Sequence, residues 1–415
     1  MPALGALAAD PLYSLIDTAF VGHLGISQLG ALAVGTAAFT ASFWIFSFLA
    51  YGLTPRVANA FGRGDVSSAT TFGVQSIFLA VVLGGLTTAL GFLLAGPIVR
   101  LFGASEAVAV YAEPFLQIRA FAAIPVLIGH VGQGWLRGMQ DTRTPMLIVL
   151  SGLAINVVLN YVLIYPVGLG VEGSALATVI GQSGAAIAFV VVLARRMDMP
   201  RWRPNLTIAK ELLRVGADLT IRTGALLAAM TIATAVAARM GEVELAAWQI
   251  AMQVFLLLAL MLDSIAIAGQ ALVGRFLGAS EPGRAFEVGK RLIGLGVVLG
   301  FALLVTVAVG SRWAARLFTD DGRVVAMAAS LLLWVAVVQP VSAVAFTFDG
   351  ILIGAADTRF LAVAMVASSL VYVAGSFLAL EWEAGVEGLA VATTVWLVLR
   401  ALTTGFRFAR GRWAT

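Results

Sequence analysis

Stretches without a single Asp, Glu, Lys or Arg recur along the whole chain, at 24–55, 66–99, 120–136, 144–171, 173–194, 223–238, 245–262, 292–311, 324–348, 360–380 and 388–399. Several reach the roughly 20 apolar residues a helix needs to cross a hydrocarbon core of about 30 Å. The shorter ones stop at a single charge that a helix can carry past. With a further span at 4–21, which carries Asp10 and Asp17, the count is twelve. The runs show no period-2 alternation, so a lipid-facing β-barrel is not expected. Helices are, because they satisfy their backbone groups internally. Only 12% of the 415 residues are charged, where a soluble domain carries about 25%. The expected fold class is an all-α membrane protein with twelve transmembrane helices.

The Lys and Arg residues set an orientation. Most of the 26 fall in alternate connections: Arg56 and Arg63; Arg137 and Arg143; Arg195, Arg196, Arg201, Arg203, Lys210 and Arg214; Arg275, Arg284, Lys290 and Arg291; Arg359; and a tail with Arg400, Arg407, Arg410 and Arg412. The opposite connections hold only Arg100, Arg239, Arg312, Arg316 and Arg323, while Arg119 and Arg222 fall inside spans. This asymmetry predicts a multi-pass protein of the cytoplasmic membrane with both termini in the cytoplasm. It also accounts for the net charge of +4 without a nucleic-acid partner. No basic n-region or small-residue cleavage site marks a signal peptide, and the first span follows Met1 almost at once, an unusually short start. Pro2 and Pro11 are expected to bend that span. Cys is absent and the only histidines are His23 and His130, which excludes disulfides, thiolate chemistry and a histidine-built metal site.

Self-comparison reveals a duplication. Gly138-Met-Gln-Asp141-Thr142-Arg143 recurs as Gly354-Ala-Ala-Asp357-Thr358-Arg359, at an offset of 216. Gly170-Val-Glu172-Gly173 recurs as Gly385-Val-Glu387-Gly388, at 215. Leu101-Phe102 and Leu317-Phe318, and the loops Gly62–Asp65 and Gly278–Glu281, again lie 216 apart. Each half then holds six spans, and an even number makes the halves parallel repeats about an axis along the membrane normal. The predicted organisation is an N-terminal six-helix lobe at 1–195, a basic linker at 196–214 containing Pro200 and Pro204, and a C-terminal six-helix lobe at 215–415. Two lobes of this kind suit alternating access.

Ionisable groups inside spans cost about 2.5–3.5 kcal/mol on insertion scales and are functional hypotheses by default. Asp17 lies several residues before the expected helix end at Gly22, too deep for a cap. Burial favours the protonated form of a carboxylic acid, so such a group can hold either a proton or a cation, or simply be hydrogen-bonded for packing. Asn156 and Asn160 are i and i+4, on one helix face, as interhelical glue or as ligands. Thr178 is a weaker member of this set. Asp218 and Arg222, also i and i+4, read as a structural pair. Asp263 and Asp349 interrupt later spans, and Asp263 is open either to a cation role or to pairing with Arg222. Gln133, Gln249, Gln253 and Gln270 add polar lining, and Phe43, Phe48, Met230, Met252, Phe255 and Met261 offer pliable apolar surface. From these, the expected substrate contacts are Asp17, Gln133, Asp263, Gln253, Met252 and Phe255.

Several motif matches fail on context. Gly168-Leu-Gly170-Val-Glu-Gly173 fits G-x-G-x-x-G but joins two spans, and its copy lacks the first glycine. The Arg63-Gly64-Asp65 triplet is a turn. No Walker A loop, H-E-x-x-H or nucleophile elbow occurs, so no ATP-driven pump or common hydrolase is expected, and no enzyme or cofactor.

In Asp17-Thr-Ala-Phe-Val-Gly-His-Leu-Gly25, Asn156-x-x-x-Asn160, Gly173-Ser-Ala-Leu-Ala-Thr178, Leu262-Asp263 through Ala271-Leu-Val-Gly274, and Gly350-Ile-Leu-Ile-Gly354 before Asp357-Thr-Arg359, the chain resembles the MATE (multidrug and toxic compound extrusion) family, in particular its DinF branch. The resemblance runs over essentially the whole chain. It implies antiport of amphipathic, often cationic drugs against inward H⁺ or Na⁺, by a monomer in the lipid bilayer. It also implies cation coupling at Asp17, surrounded by Asn156, Asn160 and Thr178. Family members commonly carry Asp where this chain has Asn160. The loss of that carboxylate weakens a Na⁺ site and favours H⁺. The alternative within the related superfamily is a flippase for lipid-linked saccharides, which would favour a more cationic cavity than these spans provide.

Overall fold

A backbone that crosses lipid has to close its own hydrogen bonds, and the apolar runs do so as helices. The structure, a computed structural model, describes residues 2–7, 9–196 and 204–414. It divides into two compact units, Met1–Gly216 and Ala217–Thr415.

Unit 1 begins with α1 (Pro2–Leu7) and α2 (Ala9–Val21), followed by α3 (Ile26–Trp44), a 3-10 turn at Ile45–Ser47, α4 (Phe48–Tyr51) and α5 (Leu53–Gly62). It continues with α6 (Val66–Leu93), α7 (Ala95–Leu101), α8 (Glu106–Ala120), α9 (Ala123–Gly138), α10 (Arg143–Ile164) and α11 (Gly170–Arg196). The unit boundary falls inside α12 (Leu206–Met240). Unit 2 completes the chain with α13 (Glu242–Gly278), α14 (Pro282–Arg316), α15 (Gly322–Gly354), α16 (Thr358–Glu381) and α17 (Gly385–Ala409).

Ten of these helical segments, with α1 and α2 taken together, are long and apolar enough to cross a membrane, and α8 with α9, bent by 47°, makes an eleventh. The twelfth passage, expected as one helix, is instead a shorter apolar helix, α3, carried on by α4 and α5 with breaks at 45–47 and Gly52. Each unit thus has six passages, which in unit 2 are all continuous helices. Pro125, in the first turn of α9, lacks the N–H that would bond back across the bend. Pro2 and Pro11 lie in the first turns of α1 and α2, where a helix tolerates proline.

The segment expected as a linker is only partly described. Residues 197–203 lie outside the described residues, and 206–214 form the start of α12. That start is tied to unit 1: the Asn205 N–H donates to Gln75 Oε1 at 2.7 Å, and Arg56 pairs with Glu211 at 2.5 Å.

The duplication is visible in the backbone. Left-handed residues precede the loop acids at Gly64 and Ser280, and at Gln140 and Ala356. Gly168 and Gly170 (φ 79° and 55°) match Glu383 and Gly385 (φ 52° and 62°), so the second copy keeps the turn although it lacks the first glycine.

Candidate functional site

Three helices of unit 1 bring polar groups to one buried place. Asp17 comes from α2, Asn156 and Asn160 from one face of α10, and Thr178 from α11. Close approach of α10 and α11 makes this possible: a Cβ on Gly152 would sit 3.2 Å from the Gly181 carbonyl oxygen, and one on Gly181 3.0 Å from that of Gly152. Small residues at such crossings are how membrane helices pack. Asp17 is 4% exposed, and both asparagines and Thr178 are fully buried.

The Asn160 amide donates to Asp17 Oδ1 at 2.9 Å and lies within 3.1 Å of Asn156 Oδ1 and of the Asn156 carbonyl. Thr178 Oγ1 lies 3.3 Å from Asp17 Oδ2 and 3.1 Å from the Ser174 carbonyl, and accepts from Asn156 Nδ2 at 3.1 Å. The groups that hydrogen-bond to Asp17 are therefore neutral. Arg119, on α8, acts on it as a charge through space, with its guanidinium 4.7 Å from the Phe39 ring. In the sequence Arg119 is only a charge inside a span, and nothing along its own helix points to Asp17.

Asn160 Oδ1 is buried without a hydrogen-bond partner. A carboxylate needs donors, while a protonated carboxyl also needs an acceptor for its own O–H. The Asn160 amide offers Nδ2 to the first and, after a half-turn, Oδ1 to the second. Aspartate at this position would carry a charge and would offer no N–H. Among the described residues, no group of three or more His, Cys, Asp or Glu could hold a metal ion.

Unit 2 holds a different cluster. Asp349 Oδ2, on α15, accepts from Arg222 Nη2 on α12 at 2.5 Å and from Arg400 Nη2 on α17 at 2.9 Å. Arg400 also stacks on Trp396 and Phe346, 4.8 and 5.4 Å from their ring centres. Of the expected Asp218–Arg222 pair, Asp218 Oδ2 accepts from Thr358 Oγ1 at 2.9 Å, and Arg222 reaches Asp349. Arg400, assigned to a tail from the sequence, is 3% exposed within α17, and Arg137 is 4% exposed within α9.

The remaining expected contacts are spread out. Gln133 Oε1 accepts from Arg137 Nη2 at 2.8 Å in unit 1. On α13, Asp263 is half-buried and Gln253 and Gln249 are exposed, while Gln270 is buried. Met252 and Phe255 belong to the packed apolar core of unit 2, with Met230 and Met261 at its edge. This corrects their reading as pocket lining, because their helical spacing serves the core. Phe48 is buried in unit 1 against Gly216. The side chain of Phe43 lies outside the described residues.

Two duplicated six-passage helical units, with a buried carboxyl cluster in the first, define a polytopic membrane protein of two-bundle architecture. The family model MatE matches residues 2–162 and 225–378, and the chain belongs to that family. The crystal structure of MATE in the bent conformation superposes with a TM-score of 0.92 at 21% identity, covering 100% of this chain and 95% of that one. Among relatives in sequence, Protein DETOXIFICATION 44, chloroplastic, of Arabidopsis thaliana is 31% identical over 80% of this chain and 66% of its own length, so the match spans slightly less than two thirds of that relative. DNA damage-inducible protein F of Escherichia coli is 29% identical over 69% of this chain and 64% of its own. The probable multidrug resistance protein NorM of Rhizobium meliloti is 31% identical over 75% and 67%.

Proposed function

We propose that this chain is a secondary antiporter that exports amphipathic, cationic organic compounds in exchange for H⁺ by alternating access, with Asp17 as the coupling group. It acts as a monomer in the cytoplasmic membrane with both termini in the cytoplasm. The observation that carries the reading is the Asp17 cluster, a buried carboxyl bonded only to neutral donors, with an amide oxygen in reserve. A carboxyl so placed can be charged or neutral without breaking an ion pair. Deprotonated, Asp17 favours a cation. Protonated, it hands its O–H to Asn160 and loses that attraction. Asp263 and Gln253 on α13 are further substrate contacts.

Two arguments favour H⁺ over Na⁺. The cluster holds one carboxylate, and the amide of Asn160 faces it with N–H, whereas a hard cation needs several oxygen ligands. The multidrug resistance named for NorM relatives fits the substrate class. The flippase reading is less favoured, because two of the arginines within spans, Arg222 and Arg400, engage Asp349.

The energy suffices. One charge moving through 100 mV supplies about 2.3 kcal/mol, and a tenfold proton gradient about 1.4 kcal/mol more. For tightly coupled export of a substrate that carries no net charge outward, these together sustain a gradient of several hundredfold, on the order set by 1.4 kcal/mol per decade. One-for-one exchange of a monovalent cation is electroneutral and draws on the proton gradient alone, about tenfold. In proteoliposomes, drug addition to the wild type should release protons with or without Na⁺, and Asp17→Asn should abolish that release. Retained release by the variant removes Asp17 from the mechanism, and a strict Na⁺ requirement removes H⁺ as the coupling ion.

A further inference from the structure

Unit 2 carries an open groove of about 430 Å³ that the transport reading does not use, formed between α12 and the first half of α16. Its apolar wall is Ala362, Val363, Val366 and Leu370, one face of α16 at helical spacing, and Asp218 and Arg359 also line it. Val363 and Leu370 are 64% and 66% exposed within a membrane-crossing helix, so this face meets lipid.

The two charges sit at one end. Asp218 Oδ2 accepts from Thr358, the residue before Arg359, and the apolar wall runs away from them along the helix. From Arg359 to Leu370 is eleven steps, about 16 Å at 1.5 Å per residue, close to half of a roughly 30 Å hydrocarbon core. The groove therefore has the length of one leaflet, with a cation and an anion at its head.

The duplicate of this place in unit 1 is closed. At the offset of 216, Ala362 is replaced by Met146 and Asp218 by Pro2. The Met146 side chain lies against Gly5, where an added Cβ would come within 3.0 Å of its sulfur. Unit 1 thus lacks both the slot and the acid, although it keeps the arginine as Arg143.

We infer that the unit 2 groove seats one phospholipid with a primary-amine headgroup, its phosphate on Arg359, its ammonium on Asp218 and one acyl chain along α16. A bare anionic headgroup would be repelled by Asp218, and a trimethylammonium group has no N–H to donate to it. Phosphatidylethanolamine carries both required charges and the donor.

The test is native mass spectrometry of the delipidated full chain, offered equal amounts of phosphatidylethanolamine, phosphatidylcholine and phosphatidylglycerol. One phosphatidylethanolamine should be retained, about tenfold over the other two, an affinity gap of about 1.4 kcal/mol. Ala362→Met, which puts the duplicate's residue into the slot without changing charge, should abolish that retention. Asp218→Asn should still bind lipid but no longer distinguish the primary amine from the trimethylammonium. Equal retention of the three lipids by the wild type, preference for phosphatidylglycerol, or unchanged retention by a monodisperse Ala362→Met variant overturns the inference.

Discussion

Each unit buries an aspartate within the last two turns of a helix, and the two are held in opposite ways. Asp17 in unit 1 receives hydrogen bonds from a neutral amide and lies beside a neutral hydroxyl. Asp349 in unit 2 is shared by two guanidinium groups from two other helices. The duplication sharpens the contrast. At offsets of 216 and 215, the counterparts of Asp17, Asn156, Asn160, Thr178 and Gly181 are Ala233, Tyr372, Ser376, Thr393 and Trp396. Tyr372 and Trp396 stack with ring centres 5.1 Å apart, and the Tyr372 hydroxyl accepts from Thr393 Oγ1 at 3.1 Å. Unit 2 has therefore filled with aromatic volume the place where unit 1 keeps its carboxyl cluster. The counterpart of Asp349, in turn, is Gln133. Backbone turns survived the divergence, and the buried side-chain chemistry at these places did not. A buried acid among neutral donors can exchange a cation, whereas one between two arginines is a clamp joining three helices.

The same substitution in the two units should then give opposite results. Asp349→Asn removes the buried carboxylate that Arg222 and the buried Arg400 share, and breaking a buried pair from one side costs about 3–5 kcal/mol. Asp17→Asn keeps shape and neutral neighbours and should cost less than about 1 kcal/mol, while ending coupled exchange. Thermal unfolding in detergent, read side by side for the two variants, measures this. Similar losses from both would erase the distinction between exchange group and clamp.

Much of unit 1's cluster was legible because its signals are local. Asn156 and Asn160 declare a common face by their spacing, and Asp17 stands out as a charge in an apolar run. The clamp was illegible because its three members come from α12, α15 and α17, and no spacing along one helix reports a contact between helices. Arg400 follows directly after the apolar run 388–399 and so looks like a basic helix end, yet α17 continues to Ala409. Met252 and Phe255 misled for a related reason: apolar residues facing a core and those facing a pocket follow the same period. The broken passage from α3 to α5 was read as one long span because hydropathy does not register a change of helix direction.

Restoring a second acid tests the unit 1 side of the comparison. Asn160→Asp replaces the N–H that faces Asp17 with oxygen ligands and a second negative charge. Na⁺ should then stabilise the variant, by about 1.4 kcal/mol at a concentration ten times the dissociation constant. The wild type should show no such response. Thermal unfolding in NaCl against choline chloride separates them, and sodium stabilisation of the wild type would contradict the proton reading of the cluster.

The smallest effect concerns a feature the units share. Each has an acid in the loop before its fifth passage that pairs with an arginine near the end of the sixth, Asp141 with Arg196 at 2.8 Å and Asp357 with Arg407 at 2.6 Å. Asp141 lies in the connection between α9 and α10, outside the spans. Partial burial raises its carboxyl, but the Thr144 N–H and hydroxyl and the Arg196 guanidinium outweigh that and hold it below its ordinary value of 3.8. A carboxyl depressed in the folded state contributes stability above its unfolded pKa, and the contribution fades as pH falls through the folded one. Its share should therefore be complete at neutral pH and disappear only below about pH 4. With Arg196 well exposed, that share is at most about 1 kcal/mol. Asp141→Asn should lower thermal stability slightly at pH 7 and converge with the wild type in strong acid. A gap that persists at low pH would mean that the Asp141 loop is held by its turn geometry and not by its charge.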